Sequence, residues 1–399
     1  MNEEQNIKQL PKDWKWVKVG EYVISVKGKK PKRVSNTKTK ECSIPYVNIK
    51  AFEKNIIDEY TDGVGCALCD DGDFLMVWDG SRSGYVGKAI KGALGSTLVK
   101  LNFPDMYNNY AFYFLQSKYL DINTRAKGVG IPHVDPNILW NYDLLIPPRL
   151  TQQAIVSKIE ELFSKLDKGI ENLRIAQQQL KTYRQSVLKW AFVNDTFKDF
   201  ILKDVTYKIQ IGPFGTQLHK EDYIENGIPL INPTHIKGGF IVADTSFSIL
   251  KSKRDSLPNY ILTEGDVIMG RRGEMGRCGL VTRKEAGWFC GTGSLYFRPD
   301  SKKVNPVFLY YNLSSQSVKK YLDDNAGGTT MANLNLKIVN DIPISLPSIE
   351  KQNTIVQEIE SRLSVADKME ESITQSLQQA EALRQSILKK AFEGKLIEN

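Results

Sequence analysis

One segment of this 399-residue chain is written twice, and an internal repeat constrains a fold more than any single motif. Residues 151–192 read TQQAIVSKIEELFSKLDKGIENLRIAQQQLKTYRQSVLKWAF, and residues 351–392 read KQNTIVQEIESRLSVADKMEESITQSLQQAEALRQSILKKAF. The offset is 200 residues without a gap, and eighteen of the 42 positions are identical. They include Ile155/Ile355, Val156/Val356, Asp167/Asp367, Lys168/Lys368 and the run Arg184-Gln185-Ser186 against Arg384-Gln385-Ser386. In the second copy apolar residues recur at Ile355, Ile359, Leu363, Ala366, Met369, Ile373, Leu377, Ala380, Leu383, Ile387 and Ala391. The first copy shows Ile155, Ile159, Leu162, Leu166, Ile170, Leu173, Leu180 and Val187. Steps of three and four keep one apolar stripe on one face of a helix. Gly169 is the one glycine inside, at a cost of about 1 kcal/mol relative to alanine. Pro147-Pro148 and Pro347 precede the starts, and Asn194 and Gly394 follow the ends, where a left-handed residue closes a helix. Each helix should run roughly 60 Å at 1.5 Å per residue. That exceeds the usual helix of a compact domain, so the two stripes are expected to bury each other as a coiled coil. The competing expectation is that each stripe packs on the core of its own neighbouring block.

Outside the helices the two large blocks echo each other in a common order. IPYVNIK (44–50) parallels IPLINPTHIK (228–237), and GDFLMVWDGSRSGYVGKA (72–89) parallels GDVIMGRRGEMGRCGLV (265–281). Helix-like YAFYFLQSKYL (110–120) parallels FLYYNLSSQSVKKYL (308–322); then AKGVGIPHVDPN (126–137) parallels NAGGTTMANLN (325–335), and DLLIPP (143–148) parallels DIPISLP (341–347). Short β-rich runs bounded by turns predict strands at Tyr22–Val26, Phe74–Trp78, Ser96–Leu101, Ile228–Ile231, Val267–Gly270 and Ser294–Phe297. Each block therefore reads as a mixed, mostly β domain, and 41% hydrophobic residues suffice for a core in each.

The formal charge of +8 is spread as +4 over residues 1–150 and +3 over residues 194–349. Such mild basicity permits a nucleic-acid partner without demonstrating one. Residues 1–10 are polar and charged, and no run approaches eighteen apolar residues, so neither a signal peptide nor a membrane span is expected. Five cysteines without a regular framework fit a reducing cytosol.

Block, long helix, second block, matching helix: this layout resembles the specificity subunit of type I restriction-modification enzymes. The resemblance covers essentially the whole chain and rests on the IPYVNIK and IPLINPTHIK segments, the GDFLMVWDGSRSGYVGKA turn and the twice-present IVxxIExxxSxxDK…RQSxLKxAF helices. It implies an α+β protein with an internal pseudo-two-fold duplication. Residues 1–149 and 194–348 would be two target recognition domains, and residues 150–193 and 349–399 two long spacer helices forming an antiparallel coiled coil, the second with a C-terminal tail. Each recognition domain would read one half of a split, asymmetric site on double-stranded DNA. Two modification subunits carrying S-adenosylmethionine would dock on the chain and methylate adenine, and up to two restriction subunits using ATP and magnesium could join. The chain itself would hold no cofactor, metal or active site and would work in the cytoplasm. Half-sites about one helical turn apart, ~34–36 Å, suit two domains held by a rigid helix pair.

The motifs agree with binding rather than catalysis. No GxxxxGK[ST] loop occurs, and Gly84-Tyr85-Val86-Gly87-Lys88-Ala89 lacks its spacing and hydroxyl. Neither Asn232-Pro233-Thr234-His235 nor Asp135-Pro136-Asn137-Ile138 has the Asn/Asp-Pro-Pro-aromatic pattern of an amine methyltransferase. Gly291-Thr292-Gly293 is too short for a cofactor loop. Cys66 and Cys69 form a lone CxxC without the second pair that a zinc site usually needs. A structural adaptor whose helices organise protein partners is the alternative of another class.

DNA contact is expected where basic and amide side chains crowd the loops. Lys29, Lys30, Lys32 and Arg33 lie in a run of five basic residues in seven, suited to phosphate. The equivalent stretch of the second block offers Thr216, Gln217, His219 and Lys220. Ser81 and Arg82, and Arg271 and Arg272, lie in parallel turns after a strand, where arginine can pair with guanine O6 and N7. Asn48 and Lys50, with Asn232, Thr234 and His235, follow the IP strands. Lys127, His133, Thr329 and Asn333 lie in the late polar loops.

Overall fold

A computed structural model describes residues 13–128, 130–192, 197–326 and 334–397. The chain forms two units, Met1–Leu173 with Gln375–Asn399, and Arg174–Thr374. Each unit thus holds one globular block and a half of each long helix.

The two blocks share one topology. In the first unit a four-stranded antiparallel sheet runs in the order Ile24–Lys27, Leu98–Asn102, Phe74–Val77, Val86–Lys88. In the second, the order is Thr206–Ile211, Ser294–Pro299, Val267–Gly270, Cys278–Leu280. Beside it lies a mixed sheet in which Ile44–Val47 pairs in parallel with Gly92–Leu94, as Ile228–Ile231 does with Phe289–Cys290. A two-stranded ribbon closes each block, Lys15–Lys18 with Asp143–Ile146 and Lys198–Ile201 with Pro343–Leu346. The blocks diverge after the IP strand. The first continues into a helix, Ile49–Lys54, and the second into a 3-10 turn and the hairpin Ile236–Lys237 and Phe240–Ile241.

The long helices span Arg149–Phe192 and Ile349–Phe392, 44 residues each, or about 66 Å at 1.5 Å per residue. Gly394, with φ 70°, closes the second in the left-handed conformation expected of it. Asn194 lies outside the described residues.

Within the first unit, Ile155, Val156, Ile159 and Phe163 of the first helix share a core with Ile387, Leu388 and Ala391 of the second and with Leu101, Tyr110 and Phe114 of the block. Within the second unit, Ile355, Val356 and Ile359 share a core with Val187, Ala191, Phe297 and Phe308. The start of each helix therefore lies beside the end of the other, which makes the pair antiparallel. Both expectations for the apolar stripe hold at once. Its ends join the block cores, while Ile359, Ala366, Ile373, Ala380 and Ile387 stay buried at the seven-residue interval of a coiled-coil seam.

Polar contacts repeat with the same 200-residue offset. Arg184 pairs with Asp367 at 2.7 Å and Glu370 at 2.8 Å in the second unit. Arg384 pairs with Asp167 in the first, its guanidinium 4.4 Å from the centre of the Phe163 ring. Gln152 and Gln352, both buried, tie each helix to its block. Gln152 accepts from Tyr107 N and donates to Pro147 O, both at 2.8 Å. Gln352 accepts from Asn305 N at 2.8 Å and donates to Pro347 O and Lys303 O at 3.0 and 3.1 Å.

Candidate nucleic-acid interface

The loops at one end of each four-stranded sheet converge on a pair of glycines. In the first unit Gly28 N donates to Leu98 O and Gly95 N to Val47 O, each at 3.0 Å. A Cβ on Gly28 would lie 2.1 Å from Gly95 O, so only glycine permits this crossing. In the second unit Gly212 N donates to Ser294 O and Gly291 N to Ile231 O, each at 2.9 Å, and a Cβ on Gly212 would lie 1.9 Å from Gly291 O. Gly95 and Gly291 were not among the sequence candidates. Their local signal, a glycine just before the strand after the hairpin in both blocks, is readable only once the blocks are aligned. The Gly291-Thr292-Gly293 segment, too short for a cofactor loop, has this structural role instead.

The crossing brings three candidate groups together in the first unit. The basic loop leaves Gly28, and Lys29, Lys30, Lys32 and Arg33 are all exposed. Arg33 lies 3.6 Å from Glu41 and 4.0 Å from Asp62, while the three lysines have no ion-pair partner among the described residues. The hairpin loop after Val77 is held by Trp78 N to Thr97 O, 2.8 Å, and carries Ser81 and Arg82. The late loop is zipped to it: Gly80 N donates to Pro132 O at 2.8 Å, and Val134 N to Trp78 O at 2.9 Å. Lys127 pairs with Asp135 at 2.6 Å and His133 Nδ1 with Asp79 at 2.6 Å.

Several candidates prove to be engaged within the fold. Asn48 caps the helix Ile49–Lys54, accepting from Ala51 N at 2.9 Å, and its amide donates to Glu59 at 2.6 Å. Lys50 pairs with Asp58 at 2.6 Å, and that ammonium lowers the Asp58 carboxyl below its ordinary range. Arg82 lies 3.0 Å from Glu53 and stacks 3.9 Å from the centre of the Tyr85 ring. His235 is buried, its Nδ1 2.9 Å from Leu230 O, so its ring faces the core rather than a groove.

In the second unit Thr216, Gln217, His219 and Lys220 lie on exposed 3-10 turns. Gln217 accepts from Tyr260 Oη at 2.7 Å. Asn232 Oδ1 accepts from Gly293 N at 3.3 Å, and Thr234 is exposed. Arg271 is half-buried, its Nε donating to Leu334 O at 3.1 Å, and burial with Arg272 beside it lowers its pKa. Arg272 itself is exposed and has no ion-pair partner among the described residues. The carboxylate Glu274 pairs instead with Lys319 at 3.0 Å and Arg277 at 3.2 Å. Thr329 and Asn333 lie outside the described residues.

The thiols are quiet by environment. Burial pushes Cys69 and Cys278 up to about 11 and raises Cys66 and Cys290, so none of these four presents a thiolate at neutral pH. Among the described residues no group of three or more His, Cys, Asp or Glu could hold a metal ion, and no helix is long and apolar enough to cross a membrane.

Two loop-bearing blocks on a paired helix frame define the class to which comparison with known proteins leads. The family described as type I restriction modification DNA specificity domain matches residues 11–175 and again residues 194–381, and the chain belongs to that family. It is 26% identical over 418 aligned residues to the type I restriction enzyme MjaVIII specificity subunit of Methanocaldococcus jannaschii, covering 98% of this chain and 96% of that one. It is 28% identical to the EcoBI specificity subunit of Escherichia coli, covering 81% and 73%. Two solved structures share the fold. A chain from work on complex assembly and conformational transition of the type I R-M system superposes with a TM-score of 0.74 at 20% identity, covering 97% of this chain and all of that one. The HsdS subunit from Thermoanaerobacter tengcongensis gives 0.55 at 18% identity, covering 98% and 99%.

Proposed function

We propose that the chain is the DNA-reading, non-catalytic specificity subunit of a type I restriction-modification enzyme. The observation that carries this reading is a frame whose main contacts recur, the Arg184–Asp367 and Arg384–Asp167 pairs and the bonds of Gln152 and Gln352 to Pro147 O and Pro347 O included, beneath loops whose side chains differ. A repeated frame with divergent loops suits one partner that docks twice and two different half-sites. Each block reads one half of a split, asymmetric site on double-stranded DNA, and the helix pair sets their spacing. Two modification subunits dock on the chain and bring the S-adenosylmethionine chemistry. Restriction subunits, where present, bring ATP and magnesium, and the assembly works in the cytoplasm. Of the candidate contacts, Lys29, Lys30, Lys32, Lys220 and Arg272 are the exposed cations free to meet DNA.

The test is to purify the full chain with its modification subunit and map the DNA sequence that it protects. One split sequence, with affinity falling steeply as salt rises, is expected. Exchanging residues 1–149 for the corresponding block of a relative should change one half of that sequence only. Sequence-indifferent binding, or a change in both halves, would overturn the proposal.

A further inference from the structure

A carboxylate beneath a half-exposed imidazole stands at the hairpin loop of the first unit. Asp79 is largely buried, 15% exposed at its side chain, while the His133 side chain is 51% exposed. Asp79 Oδ1 lies 2.6 Å from His133 Nδ1, and Oδ2 takes the Lys27 ammonium at 3.0 Å. The backbone holds this geometry. Asp79 and His133 face each other as an antiparallel bridge, and His133 exchanges both backbone hydrogen bonds with Lys127, at 2.6 and 2.9 Å. Lys127 is in turn anchored on Asp135. An ionised carboxylate can only accept, so Nδ1 donates to it, and the neutral ring then carries its lone pair on Nε2.

We propose that Asp79 is a positioning residue that presents His133 Nε2 as a hydrogen-bond acceptor for an exocyclic amine, of adenine or cytosine, in the major groove. Those amines are the donors that the groove displays. The second unit gives the same slot different chemistry. Leu334 N donates to Arg271 O as Val134 N does to Trp78 O, so Arg272 occupies the position of Asp79. There an exposed cation that can only donate replaces an acceptor. A change of sign in one slot is what two different half-sites require. This inference rests on the DNA-reading function proposed above.

The test uses the full chain co-expressed with its modification subunit in a host without adenine methylation, with methylated adenines mapped genome-wide. His133→Ala should relax one position of one half-site, raising methylation of sites altered at that base by roughly 5- to 150-fold relative to the intact site. Asp79→Ala should relax the same position, and Asp79→Asn, which keeps an oxygen to accept from Nδ1, should restore most of the selectivity. The other half-site should be unchanged, as should the melting temperature. Duplexes lacking the amine of the adenine or cytosine at that position then complete a double-mutant cycle. Deleting the amine should weaken binding of the unsubstituted chain at least fivefold and leave the His133→Ala chain unaffected. A uniform loss across the half-site, an unchanged selectivity profile, or an amine deletion felt equally by both chains would overturn the inference. Should the unsubstituted chain direct methylation to no split sequence at all, it is the proposed function that fails instead.

Discussion

Replacing Lys29, Lys30 and Lys32 together by alanine should make DNA binding far less sensitive to salt while leaving the selected sequence as it is. All three side chains are exposed and have no ion-pair partner among the described residues, so their charge is available to phosphate. Arg33 is left out because Glu41 and Asp62 already sit beside it. A cation that displaces one condensed counterion contributes about 0.9 to the slope of log K against log salt, so the triple variant should lose about 2.7. Between about 50 and 200 mM salt the unsubstituted chain should then lose roughly 40-fold more affinity than the variant. Fluorescence anisotropy of a labelled duplex, titrated with the reconstituted complex across that range, reads the slope directly. Lys220→Ala serves as the single-contact comparison, expected to remove about 0.9. A slope reduced by less than one, or an affinity loss that is the same at every salt concentration, would refute the assignment of these lysines to phosphate. A changed sequence preference would show instead that they read bases.

Four further expectations concern the frame. Gln352→Leu leaves Asn305 N, Lys303 O and Pro347 O without their partner. At about 1 kcal/mol for each lost bond it should destabilise the second unit by about 3 kcal/mol. Gln152→Leu, with two bonds at stake, should cost less, and thermal melts of the two variants give the order. Gly212→Ala forces a methyl to within 1.9 Å of Gly291 O; a destabilisation of about 1–3 kcal/mol is expected, together with relaxed reading of one half-site, and methylation mapping would show whether the other half is spared. Arg184→Ala should cost no more than about 1 kcal/mol, because Asp367 and Glu370 are largely exposed and solvent screens the pair. Exchanging the charges of Arg384 and Asp167 in one double variant should recover part of what either single change loses, as read by melting temperature.

The parts of this molecule that were legible in its sequence are those whose physics is local or repeated. The apolar period specifies the long helices without reference to anything else, and the two structural ends agree with the prolines and with Gly394. The 200-residue offset then predicts that whatever residue 184 meets near 367, residue 384 meets near 167, which is how the arginines pair. Loop chemistry is different in kind. Asn48 has the composition of a base reader, yet the helix that follows it makes it a cap. Arg82 finds Glu53, twenty-nine residues back in sequence, and His235 turns its ring into the core. Whether a polar side chain is spent inside the fold depends on partners that no local window contains. Asp79 shows the converse. It lies inside a segment whose parallel was visible, but its meaning appears only when the late loop delivers His133 to it.

That division between frame and loop also explains why one chain can carry two specificities without two architectures. The glycine crossing fixes the backbone of the hairpin loop and of the loop after the first sheet strand in the same way in both units. Side chains at Asp79 and Arg272 can then change sign without disturbing the backbone hydrogen bonds beneath them. A substitution at the crossing should therefore degrade reading and stability together, whereas one at the slot above it should alter reading alone. Comparing Gly28→Ala with Asp79→Ala by melting temperature and by methylation map separates these outcomes. If Asp79→Ala lowered the melting temperature as much as Gly28→Ala, the slot would belong to the frame, and the independence of reader from scaffold would not hold.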